Sequence, residues 1–113
     1  MQTGQDAADF LSSQRAGLAQ AITGQIYAVT AAEMRGATRG RPRAARARQI
    51  AIALARDVFE MSQKELALEF GRDRSTVGHA CQLVAELRQR DEEFDSTLRW
   101  MESHLRRAAG LRP

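Results

Sequence analysis

The chain has 113 residues, 43% of them hydrophobic and 27% charged, the balance of one globular domain with a single modest core rather than of a disordered segment. No apolar run is long enough for a membrane span, MQTGQDAADF lacks the basic-then-apolar order of a secretory signal, and the lone Cys81 excludes an internal disulfide and a cysteine zinc cluster. The formal charge of +3 hides an asymmetry: Arg35, Arg39, Arg41, Arg43, Arg46, Arg48 and Arg56 follow one another with no acid between them, so the rest of the chain is net acidic. One basic stripe on an acidic body is the footprint of a polyanion-binding surface.

With two prolines, abundant Ala and no alternating β-branched run, the pattern is helical throughout. Residues 1–6 read as a tail, 7–107 as one domain and 108–113 as a second tail. Leu11, Leu18, Ile22 and Ile26 lie on one face of a long first helix, expected over Ala7–Ala28. Thr30-Ala-Ala-Glu33 is a capping box that opens a short helix at Ala31. Gly36 to Gly40 with Pro42 predicts a loop, and a third helix over Ala44–Phe59 buries Ala47, Ile50, Leu54 and Val58.

Ser62-Gln-Lys-Glu65 is a second capping box, starting a short helix with Leu66, Ala67 and Phe70 inward. Gly71 fits a left-handed helix stop, and Asp73-Arg-Ser-Thr76 a capped start. The helix that follows, to Arg90, buries Val77, Ala80, Cys81, Val84 and Leu87. A last helix, Glu93–Arg107, is lined by Phe94, Leu98, Met101 and Leu105. A short helix, a glycine turn and a longer helix with a polar N-terminal end form a helix-turn-helix pattern. Cys81 reads as a small core residue, Tyr27 and Trp100 as packing residues, and His104 as solvated. Arg39-Gly-Arg-Pro-Arg43 has the form of a minor-groove hook.

Three stretches are specific when taken together: Arg46-Ala-Arg-Gln-Ile-Ala-Ile-Ala-Leu-Ala-Arg56, Ser62-Gln-Lys-Glu-Leu66 with Phe70-Gly-Arg-Asp73, and Ser75-Thr-Val-Gly-His-Ala-Cys81. In that order they resemble domain IV of the bacterial replication initiator DnaA, over nearly the whole chain. The resemblance implies an all-α domain of five or six helices containing a helix-turn-helix, with double-stranded DNA as partner. It implies a major-groove set of Arg72, Asp73, Arg74, Ser75, Thr76 and His79, and a minor-groove loop of Arg39, Arg41 and Arg43. Arg46, Arg48, Gln49, Ser62 and Lys64 take phosphate-contacting positions. The chain departs from the family in one glycine rather than two before Arg72, in Arg74 for histidine and Ser75 for threonine. Gly78 stands for a bulky apolar residue, and Gln82 and Leu83 for basic ones, so an altered target sequence is expected.

No G-x-x-x-x-G-K-[ST] loop, metal-ligand spacing or activated nucleophile is present, so no enzymatic activity, cofactor, metal or small-molecule substrate is expected. The expectation is a cytoplasmic, nucleoid-associated bacterial transcription regulator, as an activator of loci such as phage-like gene-transfer genes, with RNA polymerase or a second regulator as protein partner. The alternatives are a replication modulator competing for initiator boxes, and a protein-interaction module that has lost specific DNA binding.

Overall fold

The computed structural model describes residues 3–36 and 42–112. Six helices follow one another: α1 (Thr3–Tyr27), α2 (Ala31–Arg35), α3 (Pro42–Phe59), α4 (Gln63–Phe70), α5 (Arg74–Arg90) and α6 (Glu92–Ala108). Expected helix and strand types therefore agree with the structure, and the described residues contain no strand. Two boundaries differ by more than one residue. α1 begins at Thr3, inside the expected tail, and α3 begins at Pro42 rather than Ala44. A proline at the first helical position loses nothing, because its missing N–H has no partner inside the helix there, and its fixed φ already suits the helix.

α3 is the axis of the fold. Ile50, Ala51, Ile52, Ala53, Leu54 and Ala55 are consecutive and all buried, so this helix is enclosed on every side. Alternation of Ala with larger aliphatics allows that, since each methyl lets a neighbouring helix approach closely while each Ile or Leu fills the space between. α1, α2, α4, α5 and α6 all contact it. The expected faces of α3 and α6 hold, with Leu98, Met101 and Leu105 buried and Phe94 half-buried. On α5, Val77, Ala80, Cys81 and Val84 are buried and Leu87 is half-buried.

The face expected for α1 is a correction. Leu11 and Ile26 are exposed, whereas Ser12, Ala16, Ala19 and Thr23 join Ile22 in the interior. The spacing 12, 16, 19, 23 is itself helical, but it is a stripe of small residues that brings α1 close against α3. Its polar members carry partners: Thr23 Oγ1 donates to the Ala19 carbonyl at 2.8 Å, and Ser12 Oγ donates to Glu65 Oε2 at 2.8 Å. Trp100 is also a correction, being 52% exposed and stacked on His104 at 5.3 Å between ring centroids.

α6 is pinned to α5 by Arg88. Its guanidinium donates to both Glu102 oxygens at 3.1 Å each and to Asp95. Burial works against the Arg88 charge, but the bonds to Glu102 and Asp95 outweigh it and raise the pKa. Asp95 is correspondingly held below the usual carboxylate range by Arg88. Pairing on this scale is required of partly buried charges.

Candidate nucleic-acid interface

The helix-turn-helix is built from local hydrogen bonds. Ser62 caps α4, its Oγ accepting from the Glu65 N–H at 3.1 Å while Glu65 Oε1 accepts from the Ser62 N–H at 2.9 Å. Those bonds, first the one from the Ser62 backbone and then that from Ser12, hold the Glu65 carboxyl below its usual range. Ser13 Oγ donates to Glu69 Oε1 at 2.9 Å, so α4 is fastened to α1 at two points, through Glu65 and through Glu69. α4 stops at Gly71, whose φ of 61° and ψ of 40° are left-handed. A side chain there would be strained, and the Arg72 N–H closes the stop on the Ala67 carbonyl at 3.0 Å.

Asp73 then caps α5. Its Oδ1 accepts from the Thr76 N–H at 2.7 Å and from the Ser75 hydroxyl at 2.8 Å, and these bonds keep the carboxyl below its ordinary range. The start of α4 is tied to the start of α5 by Gln63, whose Nε2 donates to the Arg74 carbonyl at 3.1 Å. Gly78 makes room for that arm, because a Cβ there would come within 2.7 Å of Gln63 Nε2. A glycine at this position of α5 is thus coupled to a glutamine at the start of α4.

Asp73, Arg74, Ser75, Thr76 and His79 are all exposed, on the first turn and a half of α5. Ser62 and Lys64 are exposed at the start of α4. Arg43 and Arg46 are exposed at the start of α3, with Gln49 half-buried one turn on. Arg39 and Arg41 lie outside the described residues. Arg56, at the far end of the stripe, donates to Asp57 Oδ1 at 3.0 Å. Cys81 is buried, and that burial pushes its thiol pKa up, away from reactivity.

Three arginines from the expected DNA-contacting sets bond to main-chain carbonyls, which sequence reasoning did not foresee. Arg43 Nη2 donates to the Ala28 carbonyl at 3.1 Å. Arg48 donates through Nε to the Met34 carbonyl at 2.7 Å and through Nη2 to Gly36 at 2.9 Å. Arg72 Nη2 donates to the same Gly36 carbonyl at 3.0 Å, and its Nη1 to Gly71 at 3.0 Å. Burial and the nearby Arg72 charge both lower the Arg48 pKa. A guanidinium has five N–H donors, so each of these arginines keeps others for a ligand. No local motif announces the bonds to Ala28, Met34 and Gly36, since those partners lie 12 or more residues away in sequence.

Among the described residues no group of three or more His, Cys, Asp or Glu is placed to hold a metal ion, and no helix is long and apolar enough to cross a membrane. The family profile described as "Bacterial dnaA protein helix-turn-helix" matches residues 18–84, more than half of the chain. The "Chromosomal replication initiator protein DnaA" of Acinetobacter baumannii (strain ATCC 17978) is 40% identical over 77 residues, covering 67% of this chain and 16% of the initiator. That of Psychromonas ingrahamii is 41% identical over 76 residues, covering 66% of this chain and 16% of the initiator. That of Laribacter hongkongensis is 34% identical over 88 residues, covering 77% and 18% respectively. The chain thus spans less than a fifth of the length of these curated relatives.

Proposed function

The chain belongs to the bacterial DnaA helix-turn-helix family, and from that premise we propose that it is a sequence-specific double-stranded DNA-binding protein acting as a bacterial transcription regulator. The observation that carries the reading is the exposed polar start of α5, Asp73 to Thr76 with His79, beside an arginine stripe that contains no acid. α5 enters the major groove by its N-terminal end, as the second helix of a helix-turn-helix does. Arg74 pairs bidentately with a guanine edge. Asp73 uses Oδ1 for its cap and keeps its second oxygen to accept from cytosine N4. Thr76 meets a thymine methyl or, like Ser75, a phosphate, and His79 reaches a base or phosphate one turn on.

Arg43, with Arg39 and Arg41, serves the adjacent minor groove, whose narrow A·T tracts attract arginine. Arg46, Arg48, Gln49, Ser62 and Lys64 hold phosphates. Arg72 belongs to the same major-groove set as Arg74.

An activator also touches RNA polymerase or a second regulator. A groove of about 370 Å³ beside α1 and α2, lined by Gly17, Gln20, Ala21, Gly24 and Gln25, favours such a protein contact. Replication control through initiator boxes uses the same DNA surface. A genome-wide binding map separates the two: occupancy at promoters supports regulation of transcription, and occupancy confined to a replication origin overturns it in favour of the replication role.

A further inference from the structure

Gly78 lies inside α5, where glycine is among the least favourable residues, and its φ is not positive, so backbone conformation does not call for it. Space does. Outside its chain neighbours and the adjacent helix backbone, the one heavy atom among the described residues within 4 Å of a Cβ here is Gln63 Nε2, at 2.7 Å. The glycine makes room for the end of one side chain.

Gln63 uses that room to donate to the Arg74 carbonyl at 3.1 Å. Neither group needs the bond. In an α-helix the carbonyl already accepts from the N–H four residues on, and water would serve the amide of an exposed glutamine as well. The consequence is positional. A groove of about 320 Å³ opens here between α3, α4 and α5, lined by Arg56, Gln63, Leu66, Val77, Gly78 and Cys81. Apolar packing therefore leaves the first turn of α5 unsupported on this flank, and the Gln63 arm supports it instead. The arm ends on the backbone of Arg74, the residue to which base reading is assigned above.

We propose that Gln63 and Gly78 form a matched pair that fixes how the first turn of α5 is presented to DNA. Gln63 is a positioning residue and Gly78 a specificity-determining one, although neither has to touch a base. This rests on the reading of α5 as the major-groove helix. A bidentate contact from Arg74 needs two hydrogen bonds aligned at once, so a small shift of the turn costs base discrimination. Attraction to phosphates, which is long-range, is hardly affected. Position 78 thus alters base choice while every reading side chain stays the same.

The test compares Gln63→Ala, Gly78→Ala and the double variant with the wild type. Gly78→Ala folds, because it puts the best helix former in place of a poor one and displaces only the end of a flexible side chain. Its urea midpoint is equal to or above that of the wild type. Discrimination at the base pair read by Arg74, measured by competition between duplexes, falls about fivefold in each single variant, the worth of one neutral hydrogen bond. The double variant falls no further, because both changes remove the same bond. The salt slope of binding is the same in all four proteins. A Gly78→Ala protein that keeps the wild-type preference, or a double variant in which the losses multiply, overturns the pairing. A wild type that selects no motif overturns the major-groove reading instead. The free protein tells the two failures apart: the Gln63 side-chain amide exchanges its protons about fivefold more slowly in the wild type than in Gly78→Ala, and equal rates overturn the pairing by themselves.

Discussion

The start of α5 and the start of α3 both present polar side chains, yet the two regions are held in opposite ways. At α5 the bonds are local: Asp73 to Ser75 and Thr76, two and three residues on. At α3 they are long-range: Arg43 reaches back to Ala28, and Arg48 to Met34 and Gly36, where Arg72 arrives from 36 residues away. A locally capped helix end can change its outward side chains without disturbing its backbone. A cross-linked one cannot, because the same arginines proposed to contact DNA also hold the fold. On the proposed function, the first region suits variation in base readout, and the second suits a constant grip on the DNA backbone.

The largest expected effect tests the scaffold common to both. Ile50 is fully buried in α3, the helix that the other five contact, so Ile50→Ala costs about 2–5 kcal/mol of stability in urea unfolding and weakens every DNA contact together. Arg74→Ala sharpens the contrast. It leaves the unfolding midpoint unchanged and removes about 1–3 kcal/mol of discrimination at one base pair, measured by competition between duplexes. Ser62→Ala removes the capping box of α4 and costs about 1 kcal/mol of stability.

Asp73 supplies a pH signature. Bonds from the Thr76 N–H and the Ser75 hydroxyl hold its folded pKa below the unfolded value. Its contribution is therefore present above the unfolded carboxylate pKa, about 3.9, and disappears as the pH falls through the folded one. Asp73→Asn keeps an acceptor and removes the titration. Urea midpoints of wild type and variant should thus differ near neutrality and converge in acid. The smallest effect belongs to the exposed Arg46. Arg46→Ala weakens all duplexes alike and lowers the salt slope of binding by about 0.9.

What was legible in the sequence was what is local. Both capping boxes, the left-handed stop at Gly71 and the Asp73 cap are read from residues within four positions of one another, because side chain and backbone donor meet there whatever the rest of the chain does. The buried faces of α3, α5 and α6 were legible because most of their aliphatic and methionine side chains are also core residues, Trp100 of α6 being the aromatic that is not. α1 broke that rule: close approach to α3 selected Ala16, Ala19 and Thr23 over Leu11 and Ile26. The same limit applies to the site. Its polar residues were legible at α5, whereas the Met34 and Gly36 partners of Arg48 and Arg72 depend on how α2 is seated, which no spacing encodes. An arginine-rich run read as ligand-facing thus includes two residues, Arg43 and Arg48, that also brace the fold.

The central claim is specific recognition of duplex DNA by the α5 end together with the arginine stripe. Selection of bound duplexes from a random-sequence pool tests it most directly. The account predicts enrichment of one short motif, with base preference at the position read by Arg74 lost in Arg74→Ala and overall affinity kept within the range of a single base contact. A pool that emerges unenriched, or enriched equally by wild type and Arg74→Ala, contradicts it.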